Sequence, residues 1–185
     1  MKLFIPKLIG AVLNKFAYIN QSSASNWALN LFSRPLKGRL KHPHPTLEMA
    51  AKKNLFLKNL KIATYHWKGK GDTILLAHGW HSNSGRWKNT IAQLIKQDYN
   101  IVALDAPAHG ASGSKIFNAI LYAQFVGVVC KKFNPSILMG HSVGGMAISY
   151  FLKSNSNYKA NKLVFLGVPA CLLYTSDAAD ETGRG

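Results

Sequence analysis

Four short apolar runs recur at nearly regular intervals from residue 74 onward, and their spacing constrains the fold more than any other feature. They occupy residues 74–77, 101–104, 137–139 and 163–166, and they start 27, 36 and 26 residues apart. A βαβ unit takes roughly 30 residues, and a strand buried on both faces has a continuous apolar run. The runs therefore predict an α/β fold with a mostly parallel sheet and flanking helices.

The segments beside these runs indicate the remaining elements. Residues 87–95 and 117–128 carry apolar side chains at helical spacing, with one polar exception in the second segment. Residues 54–68 alternate roughly between apolar and polar side chains, which predicts one or two antiparallel strands. We expect these strands to lie at the edge of the sheet.

Residues 1–50 have the pattern of a basic, amphipathic helical extension with a linker, ahead of a core at 51–170. Prolines interrupt the helical pattern near 33–35 and 42–45. The longest clean apolar run near the N-terminus is 8–13, well short of the roughly 18 residues that span a bilayer. We expect the first helix to pack on the domain. Weak contact of residues 1–20 with a membrane surface, helped by lysines, is the alternative.

The charge distribution argues against a nucleic-acid partner. The net charge is +16, but residues 71–185 hold 10 Lys or Arg against 6 acidic residues, a net of +4. The basic N-terminal part has no aromatic ladder and no recognition-helix pattern. Cys130 and Cys171 do not form a zinc pattern, and Cys130 lies in an apolar helical stretch. We therefore expect a cytoplasmic protein. The alternative is that it also binds peripherally at a membrane.

Chemically distinctive residues follow three of the four runs. HGW follows the first at 78–80, DAPAHG follows the second at 105–110, and GHSVGG follows the third at 140–145. Ligand sites of open parallel sheets lie at the carboxyl ends of the strands. We therefore expect these three loops to meet in one site.

Gly140-x-Ser142-x-Gly144 has the spacing of a nucleophile elbow, a sharp strand-to-helix turn that exposes a serine in a strained conformation. Side chains at Gly140 or Gly144 would collide with neighbouring backbone, and Gly145 lets the helix pack close to the sheet. At the helix N-terminus the Val143 N–H can stabilise an oxyanion. The alternative is an ordinary helix start with an N-terminal serine.

The order HGW, DAPAHGAS and GHSVGG resembles the α/β-hydrolase superfamily, in particular bacterial serine hydrolases with a D-x-P-x-H-G-x-S motif. The likeness covers about residues 54–170 and implies only the N-terminal half of that fold. It implies that Ser142 attacks an ester-like carbonyl, and that the backbone N–H groups of Trp80 and Val143 form the oxyanion hole. The residues that would support the motifs are His78, Gly79, Asp105, Pro107, His109, Gly110, Gly140, His141, Gly144 and Gly145.

Four histidines lie near the predicted site, namely His78, His81, His109 and His141. We expect structural roles for all four, because the catalytic histidine of the resembled family comes from a loop after the last strand. Asp105 is expected to brace its own loop, since the triad acid follows the nucleophile in that family. No histidine follows Ser142. The triad acid and histidine are therefore expected to be absent from this chain, which would be inactive or nearly so.

Residues 171–185 differ in character from the segments before them. Their sequence resembles translated adapter read-through more than a hydrolase segment. We expect a non-native tail with few core contacts.

These patterns together predict a serine hydrolase that cleaves an ester, thioester or related carbonyl through an acyl-enzyme. We expect a small-molecule acyl substrate, no cofactor and no metal. The alternative is a non-catalytic scaffold or peripheral membrane-docking protein with the same fold, since a fold alone does not establish activity.

Overall fold

The computed structural model describes residues 4–39 and 44–169, which form one mixed sheet flanked by helices. The strands are β1 (Ala51–Leu57), β2 (Leu60–Trp67), β3 (Thr73–Ala77), β4 (Asn100–Leu104), β5 (Ile137–His141) and β6 (Lys162–Leu166). The α-helices are α1 (Phe4–Ile19), α2 (Gln21–Phe32), α3 (Pro45–Glu48), α4 (Lys88–Lys96), α5 (Ala119–Phe133) and α6 (Val143–Ser154). A 3₁₀ helix spans Ser84–Trp87, and the strands lie in the order β1-β2-β4-β3-β5-β6.

The four apolar runs form the parallel strands β3, β4, β5 and β6. Ile74 of β3 lies opposite Ile101 of β4 on one side and Ile137 of β5 on the other. All three side chains are buried. Strands covered on both faces need apolar side chains at successive positions, which explains the unbroken runs. The predicted fold class is confirmed.

The antiparallel hairpin of β1 and β2 corrects one expectation. β2 pairs with β1 on one side and with β4 on the other, where Thr64 lies opposite Leu104. Only β1 therefore lies at the edge, and the prediction that the strands of 54–68 lie there was wrong for β2. The physical reason is burial, because β2 is covered over most of its length whereas β1 is mostly exposed.

Alternate residues of the central strand β3 face opposite sides of the sheet. Leu75 belongs to the core beneath α5 and α6, together with Phe125 and Ile148. Leu76 belongs to the core on the other face, together with Ile91 of α4. Side chains alternate along a strand with a period of two, so one apolar run supplies both cores. The sheet is thus held between two helical layers, with its carboxyl edge left to loops.

The N-terminal extension folds as a helical hairpin of α1 and α2. α1 packs mainly against α2, so its attachment to the domain is indirect, which differs from the preferred expectation. Asn20 ends the first helix and caps the second, where its side chain accepts a hydrogen bond from the Ser23 N–H at 2.9 Å. Residues 33–39, which we call the strap, connect this hairpin to the core. Leu47 of α3 is fully buried in the core, ahead of the expected boundary at residue 50.

The described helices include none that is both long and apolar enough to cross a membrane. The tail predicted for residues 171–185, with Cys171, lies outside the described residues.

Candidate functional site

The three motif loops lie at one edge of the sheet. HGW follows β3, DAPAHG follows β4, and Ser142 lies between β5 and α6. Since β3, β4 and β5 are parallel, their carboxyl ends meet at this edge.

Ser142 occupies a strained turn. Its φ is 52° and its ψ is −126°, a combination that residues other than glycine rarely adopt. Its N–H donates to the Leu166 carbonyl at 2.9 Å, and its own carbonyl accepts from the Gly145 N–H at 2.9 Å. Its side chain makes no helix-capping hydrogen bond. An ordinary N-cap serine has extended backbone and a capping hydroxyl, so this geometry argues against that alternative.

Three glycines allow α6 to start in close contact with the sheet. A Cβ on Gly140 would lie 2.5 Å from the backbone nitrogen of Gly145. A Cβ on Gly144 would overlap the carbonyl oxygen of Ala77, and one on Gly145 would overlap the side chain of Val168. A larger residue at any of the three positions would push the helix away from its neighbours.

The loop after β3 passes directly beside Ser142. A Cβ on Gly79 would lie 3.2 Å from the Ser142 Cβ and 2.6 Å from His141 Nδ1. Trp80 is half-buried, and its ring packs edge-on against Phe117 with centroids 4.8 Å apart. The Trp80 ring thus anchors the loop in the apolar layer, one residue after its contact with Ser142.

Asp105 is fully buried and ties its loop to two other elements. Its Oδ1 accepts from the Ser84 N–H at 2.8 Å and from the Ser84 hydroxyl at 2.7 Å. Its Oδ2 accepts from the Tyr65 hydroxyl at 3.0 Å and from the Ala111 N–H at 2.9 Å. Burial, with Asp105 alongside, raises the pKa of Tyr65 well above its usual value. A carboxylate with four donors is well satisfied and suited to bracing these loops.

His78 is a fully buried, neutral imidazole. Its Nε2 accepts from the Ala106 N–H at 3.0 Å, so the ring proton lies on Nδ1, which donates to the Gly79 carbonyl at 2.7 Å. Burial lowers the pKa of His78. Asp105 Oδ1 is 3.9 Å from Nε2, too far for a hydrogen bond. Both nitrogens are engaged, so the ring holds the first two loops together.

His109 makes the same kind of link between loops. Its Nδ1 donates to the Pro107 carbonyl at 2.8 Å, and its Nε2 accepts from the His81 N–H at 3.1 Å. Burial lowers the pKa of His109 to about 4. The His81 ring contacts the strap, where its Nε2 accepts from the Leu36 N–H at 3.3 Å.

His141 contacts Arg86 instead of the Ser142 hydroxyl. Arg86 Nη2 donates to His141 Nε2 at 2.8 Å, so the ring proton lies on Nδ1. This Nδ1 is buried and has no hydrogen-bond partner within 4–39 and 44–169. Burial and the Arg86 charge both lower the pKa of His141.

The sequence of the chain also matches a known protein family. Residues 70–177 match the protein family described as Serine aminopeptidase, S33. The chain belongs to this family. This assignment places it in the α/β-hydrolase superfamily.

This S33 family member is 31% identical over 123 residues to the Serine hydrolase-like protein of Homo sapiens, an alignment covering 63% of this chain and 60% of the human protein. It is 28% identical over 105 residues to the pimeloyl-(acyl-carrier protein) methyl ester esterase of Vibrio atlanticus, covering 54% of this chain and 38% of the esterase. The chain thus spans less than two thirds of each relative.

A solved structure, the Thioesterase Domain From Curacin Biosynthetic Pathway, superposes on the S33 family member with a TM-score of 0.58 at 21% sequence identity. The superposition covers 71% of this chain and 53% of the thioesterase domain. At this identity the likeness concerns the fold alone.

Sequence reasoning missed three residues of the S33 family member's site. Tyr65 and Ser84 bind the Asp105 carboxylate, and Arg86 binds the His141 ring. Each lies far along the chain from its partner and belongs to no motif. The only sequence signal concerned Tyr65, which lies inside a predicted strand, since a phenol hydroxyl needs a hydrogen-bond partner once it is buried.

A groove between α5 and α6 lies apart from the three loops. Its lining includes Leu57, Gly127 and Phe151, and none of the motif residues. The part of the chain that the structure describes contains no group of three His, Cys, Asp or Glu side chains that could hold a metal ion.

Proposed function

We propose that this protein is a serine hydrolase that cleaves an ester, thioester or related carbonyl compound through an acyl-enzyme on Ser142. The observation that carries the proposal is the strained Ser142 turn, whose hydroxyl is not used for helix capping. The Vibrio atlanticus methyl ester esterase supports this class of reaction.

In the proposed reaction, the Ser142 oxygen attacks the carbonyl carbon and the carbonyl oxygen becomes an oxyanion. The backbone N–H groups of Trp80 and Val143 donate to this oxyanion, and the N-terminus of α6 adds positive potential. Collapse of the intermediate releases the alcohol or thiol, which takes up the serine proton, and leaves an ester on Ser142. Water then hydrolyses this ester. The contact of Gly79 with Ser142 supports the assignment of Trp80.

The serine proton needs a base, and we propose that none of the histidines described above supplies it. His78 and His109 use both ring nitrogens for backbone hydrogen bonds, while His81 and His141 contact Leu36 and Arg86. All seven histidines of the chain precede Ser142. The 185-residue chain should therefore hydrolyse its substrate slowly, because losing the base of a comparable triad costs on the order of a million-fold in turnover.

A fluorophosphonate probe, with the adduct located by mass spectrometry, tests this proposal on the purified chain. We expect slow labelling at Ser142, since binding and the oxyanion hole still give roughly a thousand-fold or more over water. Added imidazole should accelerate the labelling by acting as the missing base. Ser142→Ala should lose it, whereas Ser149→Ala, on the same helix with its hydroxyl bonded to the Gly145 carbonyl, should keep it.

The same experiment separates the two candidate functions. An adduct at Ser142 that imidazole accelerates supports the hydrolase. No adduct at Ser142, with or without imidazole, would support a non-catalytic scaffold.

We also infer a small-molecule acyl substrate, no nucleic-acid partner and a cytoplasmic setting. Cys130 supports the last inference, because it is a buried free thiol whose pKa burial raises to about 12.

A further inference from the structure

The helical hairpin of α1 and α2 leaves several large apolar side chains exposed. Within residues 7–19 of α1, the exposed positions fall on one arc of about 160° at 100° per residue. This arc contains Lys7, Leu8, Ala11, Val12, Asn14, Lys15, Tyr18 and Ile19. Tyr18 and Ile19 are 94% and 83% exposed, so they lack any covering neighbour within the described residues.

The end of α2 also exposes apolar side chains. Polar side chains fill the first turns of α2, but Trp27, Leu29 and Phe32 at its end are 48%, 66% and 73% exposed. Leu36 of the strap is 88% exposed. Scattered apolar side chains are normal on protein surfaces, whereas Leu8, Val12, Tyr18 and Ile19 are exposed together on one arc of α1, which marks an interaction site.

The charge of this region indicates what it contacts. Residues 4–39 contain Lys7, Lys15, Arg34, Lys37 and Arg39 and no acidic residue. Lys7 and Lys15 lie within the same exposed arc of α1 as the apolar side chains. Interleaved apolar and cationic side chains on one helix face suit an anionic lipid surface, where the apolar groups enter the acyl boundary and the cations meet the headgroups.

The strap joins the hairpin to the edge of the sheet that carries Ser142. The Ser33 carbonyl accepts from the Phe117 N–H at 2.7 Å, and the Gly38 carbonyl accepts from the Gly110 N–H at 2.8 Å. Arg39 donates to the carbonyl oxygens of Ser112 at 2.6 Å and Ser114 at 2.7 Å. These contacts are all with the segment that follows the carboxyl end of β4, so the hairpin is attached on the side of the molecule that carries the candidate site.

We propose that the helical hairpin docks the protein on an anionic membrane surface, with the carboxyl edge of the sheet held beside the bilayer. The exposed arc of α1 and the apolar end of α2 form the docking surface. This proposal goes beyond the hydrolase assignment and does not depend on a reaction at Ser142.

Co-sedimentation with vesicles tests this surface, using the Ser142→Ala form of the full chain so that binding is read without catalysis. Vesicles of equal parts phosphatidylglycerol and phosphatidylcholine should bind the protein, whereas pure phosphatidylcholine should bind it far less. Lys7→Glu with Lys15→Glu should weaken partitioning roughly thirtyfold or more. Tyr18→Ser with Ile19→Ser should weaken it as well, and these exposed positions can be changed without disturbing the core.

Lys131→Glu with Lys132→Glu is the matched control. It changes the net charge equally, but these residues lie in the last turn of α5, at the edge of the sheet opposite to Ser142. The control should retain binding. Equal loss in both charge-reversed forms, or no binding to anionic vesicles, would overturn the proposal. So would a dimer that Tyr18→Ser with Ile19→Ser dissociates while vesicle binding is unchanged.

Discussion

Gly110 shows how the absence of one side chain decides the shape of the loop after β4. Its φ is 51°, in the left-handed region, and a Cβ there would overlap the carboxylate of Asp105. The carboxylate receives four hydrogen bonds, of which three join this loop to β2 and to the 3₁₀ helix and one comes from Ala111 in the same loop. A displaced Asp105 would leave buried donors such as the Tyr65 hydroxyl unpaired, which is costly in a dry interior.

Gly110→Ala should therefore lower the free energy of unfolding by about 2–4 kcal/mol, from the strained φ together with the lost Asp105 hydrogen bonds. Gly10→Ala is the control, because its Cβ meets nothing within 4 Å in α1, and alanine in a helix interior is neutral to stabilising by up to about 1 kcal/mol. Urea unfolding followed by circular dichroism measures both. Equal midpoints for Gly110→Ala and the parent would contradict this account of the loop.

The two edge strands of the described sheet, β1 and β6, differ in the side chains that they expose. β1 carries Lys52 and Lys53 on its exposed edge, and lysines on edge strands discourage pairing with other chains. β6 is the last strand of the described sheet, and it leaves Leu163, Phe165 and Leu166 between 42% and 47% exposed. Its only lysine is Lys162 at the first position, and an edge that is apolar over the rest of its length is prone to pair with another copy.

The chain should therefore self-associate through β6, and Leu163→Lys should reduce this association without lowering stability by more than about 1 kcal/mol. Phe56→Lys on β1 is the comparison, since that edge already carries lysines and should change little. Sedimentation velocity over a range of concentrations measures the effect. If Phe56→Lys reduces association as much as Leu163→Lys does, β6 is not the responsible edge.

For the whole molecule, the buried histidines couple folding to pH. Burial lowers the pKa of His109 to about 4 and also lowers that of His78. Their unfolded pKa is about 6.5. Between these values the unfolded chain binds more protons than the folded one, so stability rises with pH. The full contribution is present above about pH 6.5, and it is lost as the pH falls toward 4.

The free energy of unfolding should therefore fall by roughly 3 kcal/mol or less on account of His109 between pH 7 and pH 4. His109→Gln should make the pH dependence shallower, because the amide oxygen can replace the Nε2 acceptor but does not titrate. His78 still contributes, so the slope should shrink and not vanish. Denaturant midpoints across this pH range provide the measurement, and an unchanged slope in His109→Gln would refute the assignment.

The sequence by itself determined the parallel part of the fold and the meeting of the three loops. Both depend on local patterns, since a strand buried on two faces must be apolar along its length, and parallel strands bring their carboxyl ends to one edge. The strained turn at Ser142 was also predictable, because glycines at fixed offsets are a local requirement of a tight turn. The oxyanion donors Trp80 and Val143 stay predictions.

Only the tertiary structure decided the features that depend on contacts between distant segments. β2 lies inside the sheet because it pairs with β1 along one edge and with β4 along the other, which its alternating pattern did not indicate. Arg86 and Ser84 became part of the site through His141 at the end of β5 and Asp105 after β4, and no motif includes them. The strap reaches the loops partly through backbone groups, as in the bonds of Ser33 with Phe117 and of Gly38 with Gly110, and every residue but proline has both groups. Such contacts leave no pattern in the sequence, because the fold alone decides which of the many equivalent groups meet.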